Sequence, residues 1–353
     1  MAQEGRATEE RELRTRRLAL TLLLALGLSG AARSETTEAV SPPPGPRPIR
    51  VEIGFYLLNL VSVEERSETF DADLYLNLRW KDPRLAFTTP ASGDDVRIYQ
   101  GDTAAARLGE IWWPNIEFVN TSTPEVTNRS LFIHADGTVD YRLGLSSTFR
   151  ANLDMRSFPF DRQSLNIRIQ SFEGDRRELV FEPDLSHMGF SADENYADIT
   201  VKGIEAETRS SSVAGWSEDF SELLIHVNVT RSPRFYLWTV FFPVSLVLLL
   251  SCTIFFVDIQ SFQNRVSIGL ACFLACIATQ FAMSFNLPKI SYLTPIDRLF
   301  LVAYACMALG VGVSVVETSL MRGHTELIRR TDRLASLAIP LLYAMLVFFV
   351  VLP

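Results

Sequence analysis

The sequence predicts an extracellular immunoglobulin-like β-sandwich followed by a four-helix transmembrane bundle, and three observations carry that prediction. Four stretches in the last third, 235–257, 266–288, 299–316 and 334–353, contain no formally charged residue. A helix of about 20 apolar residues crosses the ~30 Å hydrocarbon core of a bilayer, so each stretch is long enough, or nearly so, to span it once. Charge also splits along the chain: residues 34–233 carry a net −13 and residues 234–353 a net +3, within a total of −8. Between 49 and 232, short runs rich in β-branched and apolar residues are separated by turn signals, the pattern of an all-β domain.

The elements follow in order. Arg11, Arg14, Arg16 and Arg17 precede an apolar run at 18–28 and then Ser29, Gly30, Ala31 and Ala32. That order is expected of a signal peptide covering 1–33, with an uncleaved anchor as the alternative. Residues 34–48 form a linker whose proline run at 42–48 cannot hold regular backbone hydrogen bonds. The exported domain, 49–232, has candidate strands at 49–63, 75–80, 131–139, 165–169, 199–204 and 223–229. Ser92-Gly93-Asp94, Asp136-Gly137 and Glu173-Gly174-Asp175 mark turns between them, and the expected arrangement is two antiparallel sheets. The acidity of this domain argues against nucleic acid as a partner, because phosphate binding needs clustered Lys and Arg.

All four cysteines, Cys252, Cys272, Cys276 and Cys306, lie in the apolar stretches. No disulfide is therefore expected in the exported domain, and no metal site or cofactor is suggested by ligand spacing. The membrane domain is expected over 233–353, with spans at 235–257, 263–287, 295–320 and 332–353. Export of the first domain places the C-terminus outside as well. The short connection carrying Arg322, Arg329 and Arg330 then faces the cytoplasm, in line with positive-inside bias. The expected location is the cell (inner) membrane.

The second span differs from the others. Ser267, Gly269, Ala271, Cys272, Ala275, Cys276, Ala278, Thr279, Gln280 and Ser284 interrupt its apolar residues. Ser267, Ala271, Leu274, Ala278, Phe281 and Phe285 recur every three or four residues and share one helix face. Such a stripe faces either water inside an assembly or a neighbouring helix, since small residues also allow close helix packing.

The segment Phe158-Pro159-Phe160-Asp161-Arg162-Gln163 is the most specific feature. A proline between aromatics makes a stiff turn with an apolar payload, suited to resting on helix ends at a membrane surface. Together with Trp112-Trp113-Pro114, Arg231 before the first span and Pro243 within it, this segment resembles the pentameric ligand-gated ion channels, the Cys-loop receptor superfamily. The resemblance runs from about residue 51 to the C-terminus. The short connection between spans three and four is most like that of the prokaryotic members. Ala151 and Leu165 stand where the animal receptors carry the two loop cysteines, as in the bacterial branch.

The resemblance implies a homopentamer of this chain with four further copies, a pore lined by Ser267, Ala271, Leu274, Ala278, Phe281 and Phe285, and an inner mouth formed by Gln263, Asn264 and Arg265. Five copies of Leu274, Phe281 and Phe285 would form apolar rings able to stop ions by dewetting. Pro159, Phe160, Asp161, Arg231 and Pro288 are the expected coupling residues, with Glu64 or Glu65 joining the Asp161–Arg231 pair. The neutral Gln263 and Asn264 leave charge selection open, with a lean to cations from the acidic outer domain. The agonist site is expected between subunits, from Phe172, Phe220 and Trp216 on one face and Tyr56, Tyr75 and Arg142 on the other. An aromatic box suits an amine, Arg142 suits a carboxylate, and Gln170 occupies a place where amine-binding relatives can have an acid. Protons are the third option, although His134, His187, His226 and His324 form no cluster in the sequence. The expected partners are thus a small agonist or protons, permeant inorganic ions and membrane lipid. The alternative is a membrane-anchored binding module without conduction. No catalytic constellation is present, and an enzyme is not expected.

Overall fold

The computed structural model describes residues 40–89, 93–121, 124–171, 173–191, 198–212, 219–285, 290–320 and 324–351. The expected signal segment lies outside the described residues, as do Phe172, Trp216 and Pro288. Ten strands form two packed sheets: β1 (Ile49–Glu64), β2 (Thr69–Lys81), β3 (Val96–Gln100), β4 (Ile116–Phe118), β5 (Glu125–His134), β6 (Thr138–Arg150), β7 (Arg162–Ser171), β8 (Leu179–Phe190), β9 (Ile199–Ser212) and β10 (Asp219–Arg231). One sheet has the order β3-β5-β6-β2-β1-β8 and the other β4-β7-β10-β9. A short helix, α1 (Asp102–Leu108), follows β3.

Alternation dictates which side of each strand is buried. In β2, Phe70, Ala72, Leu74, Leu76, Leu78 and Trp80 point inward and the residues between them outward. In β7, Leu165, Ile167 and Ile169 do the same. Trp112 of the Trp-Trp-Pro segment packs edge-on against Trp80 with ring centroids 6.3 Å apart, and Phe70 stacks on Phe149 at 5.3 Å. With no cysteine in this region, such aromatic contacts and the continuous apolar core hold the sandwich.

Two expectations change. The run 131–139 is not one strand but the β5–β6 hairpin, because the chain reverses at Asp136-Gly137. Gly137 has φ +83, and a Cβ there would meet the Asp82 carbonyl oxygen at 2.6 Å, so only glycine fits. The sheets are also not wholly antiparallel: β8 pairs with β1 in parallel, Val51 opposite Phe181 and Tyr56 opposite Gly189. β3, β4 and β8 are not among the candidate strands; β3 and β4 are only five and three residues long, too short for alternation to stand out.

Four apolar helices follow: α2 (Arg234–Phe256), α3 (Ile259–Ser284), α4 (Pro295–Ser319) and α5 (Glu326–Val351), each long and apolar enough to cross a membrane. Their burial is unequal. In the most apolar window of α2 and of α4, 44% of residues are buried, against only 11% in α3. An apolar helix left this open within its own bundle has a face made for something else.

Candidate functional site

The open face of α3 carries the stripe read from the sequence. Gln263, Asn264, Ser267, Ala271, Leu274, Ala278, Phe281 and Phe285 are all exposed, while Gly269 and Cys276 on the opposite face are buried. Gly269 explains how the helix is seated: a Cβ there would come within 2.6 Å of Val311 on α4, so the two helices touch backbone to side chain. Tyr304 of α4 adds a hydrogen bond to Gln280 Oε1 at 2.7 Å. Phe281 and Phe285 meet edge to face at 4.8 Å on the open side.

Arg265 corrects the expected inner mouth. Its side chain is buried, not aligned with Gln263 and Asn264. Its guanidinium donates to Glu317 Oε2 at 3.0 Å, to both oxygens of Asp332 at 3.0 and 2.9 Å, and to the Val257 carbonyl at 2.8 and 2.6 Å. A cation in an apolar bundle must be paired, and these partners are found between α4 and α5 rather than along the stripe. The exposed stripe at that end therefore holds only the neutral Gln263 and Asn264.

At the junction of sandwich and helices, the aromatic-proline turn rests on α2 as its composition suggested. Phe158 packs on Tyr236 with centroids 4.7 Å apart, and Phe160 on Phe241 at 6.1 Å, with Pro159 buried between them. Arg231, at the end of β10, is buried and donates to Asp161 Oδ1 at 3.1 Å. It also pairs with Glu65 Oε1 at 2.7 Å and Asp198 Oδ2 at 3.0 Å, and its guanidinium lies 5.0 Å from the Phe158 ring centroid. Burial alone would lower the Arg231 pKa, but the three acids more than reverse this and hold it above its ordinary value. Glu65 rather than Glu64 joins the pair, since Glu64 closes β1 with its side chain exposed. Asp198 and Tyr292 were not singled out in the sequence. The Tyr292 hydroxyl, in the connection after α3, accepts from the Met155 backbone amide at 3.0 Å and ties that connection to the same turn.

On the exposed face of the six-stranded sheet lies a groove of about 690 Å³. Strand register builds it: Tyr56 opposes Tyr75, which opposes Gly144, and Asn77 opposes both Gly54 and Arg142. Gly144 and Gly189 let the rings of Tyr75 and Tyr56 lie against backbone, since Cβ atoms there would stand 2.9 and 3.2 Å from ring carbons. Tyr56, Tyr75 and Arg142, expected to share one site face, all line this groove. The Arg142 guanidinium sits 4.6 Å from the Phe132 ring centroid. Arg142 is the permanent cation of the lining, which also holds His187 and includes no Asp or Glu.

Phe220 is 3% exposed within β10 and, by alternation, shares the sheet face of Glu222 and Leu224, opposite the core residues Leu223 and Ile225. Gln170 is likewise buried, beside Glu222, whose carboxylate takes a bidentate bond from Arg168 at 2.7 and 2.9 Å. Three histidines each meet an acid, two of them only three and six residues away along the chain. His134 Nε2 lies 2.8 Å from Asp140, His187 Nδ1 2.6 Å from Asp184, and His226 Nε2 3.3 Å from Glu207. Burial raises the Asp140 pKa, but hydrogen bonds from Arg79 and His134 outweigh it, leaving Asp140 below the ordinary carboxylate value. Glu173, where the principal-face loop is expected, goes the other way: burial pushes its carboxyl above the ordinary value.

A ten-strand sandwich seated on four membrane helices through this aromatic-proline turn and its buried arginine defines a ligand-gated channel subunit of the pentameric class. The chain belongs to the neurotransmitter-gated ion-channel family: the model of that family's ligand-binding domain matches residues 36–233. It is similar to a proton-gated ion channel of Gloeobacter violaceus, 29% identical over 270 residues that cover 76% of this chain and 73% of that protein. It is also similar to the gamma-aminobutyric acid receptor subunits theta of Mus musculus (28% over 266 residues) and rho-2 of Bos taurus (25% over 307 residues). The match takes in 73% and 84% of this chain but only 40% and 63% of those two receptor subunits. Members of the family are ion channels, not enzymes.

Proposed function

We propose that five copies of this chain assemble in the cell (inner) membrane into a gated channel for cations, its pore walled by the exposed stripe of α3. The observation that carries this reading is the contrast on α3: an apolar span with one buried face and a continuous open stripe from Gln263 to Phe285. Symmetric packing of five copies gives that stripe an aqueous axis to face. The rings of Leu274, Phe281 and Phe285 then close the pore by dewetting. Cation preference is supported by Arg265, whose charge is spent inside the bundle on two acids instead of at the inner mouth.

Opening begins at the outer domain, by an agonist or by protons. The groove around Tyr56, Tyr75 and Arg142 favours a carboxylate-bearing agonist over an amine, because its lining offers a cation and no acid. Similarity to the proton-gated ion channel of Gloeobacter violaceus keeps protons in contention. The signal passes through Pro159, Phe160, Asp161 and Arg231 to α2, and through Tyr292 to the connection behind α3. Only a stimulus that binds the open and closed states unequally can move this equilibrium.

Planar-bilayer recordings over a panel of carboxylates, amines and pH steps test the proposal. The expected result is a stimulus-dependent current whose reversal potential follows the sodium gradient. A silent bilayer under every stimulus, from protein shown to be assembled, favours the anchored binding module.

A further inference from the structure

The four-stranded sheet carries a second groove on its exposed face, of about 580 Å³, which the channel reading leaves unused. Its floor follows from register. Ser164 opposes Asn228, which opposes Gly203, and Arg162 opposes Thr230. The side chains across the middle, Ser164, Asn228 and Thr230, are short, and Gly203 beside Asn228 adds none.

Two cations flank it. Arg162 stands on β7, on one side of β10. Lys202 stands on β9, on the other side, where the pairing steps from Asn228↔Gly203 to Val229↔Val201. Lys202 is thus the extra residue of a β-bulge, a device that turns a side chain away from strict alternation. Other cations of this sheet are paired, Arg168 with Glu222 and Arg209 with Glu207. Arg162 and Lys202 have no carboxylate partner among the described residues, and the groove lining includes no acid. The side chains of Asn228 and Thr230 also have no hydrogen-bond partner among the described residues. An acidic domain that leaves two cations and two neutral donors unspent around one hollow is arranged for an anion.

We propose that this groove binds a phosphate-bearing anion. A guanidinium, an ammonium, a hydroxyl and an amide converge from three strands, which suits a tetrahedral oxyanion better than a planar carboxylate. Two sources offer that chemistry: an anionic phospholipid headgroup and a free phosphate or phosphomonoester. The headgroup is a source because the groove lies at the membrane end of β10: Thr230 stands only four residues before Arg234, where α2 begins, at most about 14 Å of extended chain. Occupancy is also felt at the junction. Gln163 lines the groove and donates to Asp161 Oδ2 at 2.6 Å, while Arg162 and Thr230 are chain neighbours of Asp161 and Arg231. A bound phosphate therefore sits beside the buried arginine cluster and tunes it.

The test is a binding measurement on the full chain and does not depend on channel activity. Protein in neutral detergent is dialysed to equilibrium against labelled inorganic phosphate or glycerol phosphate at constant ionic strength. In parallel, protein reconstituted with phosphatidylglycerol and phosphatidylcholine is re-extracted and its retained lipid counted by native mass spectrometry. Wild type is expected to show saturable binding in at least one arm, reduced tenfold or more in R162Q/K202Q. The charge-preserving R162K/K202R retains it, and Arg50→Gln, elsewhere on the domain, leaves it unchanged. Binding in the soluble arm assigns the site to free phosphate, and retention of phosphatidylglycerol alone assigns it to the headgroup. Absence of saturable binding in both arms, or equal binding by wild type and R162Q/K202Q, overturns the proposal.

Discussion

Two buried arginines, one at each end of the helical bundle, solve the same electrostatic problem in different ways. Arg231 is surrounded by Glu65, Asp161 and Asp198, and Arg265 by Glu317 and Asp332. Each cation is outnumbered by acids, and each would be costly to leave alone in a dry setting. The partners differ in kind. Those of Arg231 come from chain just outside strands β1, β7 and β9, so the cluster joins separate segments of the sandwich to the strand entering the membrane. Those of Arg265 come from α4 and α5, so that cluster binds three helices of a single bundle together. The first is a joint, able to transmit displacement. The second is a clamp that fixes the rotation of α3 and thereby turns its stripe outward.

The largest effect is expected at the joint. Arg231→Gln strands three carboxylates and should cost about 3–5 kcal/mol, read as a lower melting temperature and loss of assembled protein on size exclusion. Arg265→Gln strands two and belongs near the low end, about 3 kcal/mol. Asp332→Asn should cost less than about 1 kcal/mol, because Glu317 still balances Arg265. If Asp332→Asn is as damaging as Arg265→Gln, the clamp is mis-described.

A third prediction concerns what the clamp presents. Leu274→Ser inserts five hydroxyls into an apolar ring and should raise unstimulated conductance about tenfold, a bias of ~1.4 kcal/mol toward the open state. Unchanged leak in a well-assembled variant would count against Leu274 as part of the barrier.

A further small effect is remote from both clusters. Asp140 is held below its ordinary pKa in the fold, so its contribution is present above the unfolded value of about 3.9 and is lost as pH falls through the lower, folded one. Arg79 is partly exposed, which limits the loss to about 1 kcal/mol. Melting curves at decreasing pH should fall more steeply for wild type than for Asp140→Asn.

Features that repeat at short range were legible in the sequence. The inward residues of β2, the four spans and the α3 stripe all follow from periods of two or of three to four residues. The aromatic-proline turn was legible because its chemistry is local. Pairings across long stretches were not. Glu317 and Asp332 lie 52 and 67 residues from Arg265, and Asp198 lies 33 from Arg231. A signal for Glu317 did exist: it is the acid that ends the third uncharged stretch, and acids at membrane depth call for a partner. The burial of Phe220 was hidden because it depends on how β10 packs, not on its alternation. Lys202 was hidden because a bulge depends on the partner strand's register.

The central claim is that the open stripe of α3 faces water, and cysteine accessibility tests it most directly. Ser267→Cys, Leu274→Cys and Ala278→Cys would each be exposed to a charged, membrane-impermeant thiol reagent during current recording, with wild type as the control for the native cysteines. The account predicts rapid, irreversible block in all three variants and little change in wild type, whose Cys276 is buried and whose Cys272 is off the stripe. Full currents after treatment of all three variants would contradict it.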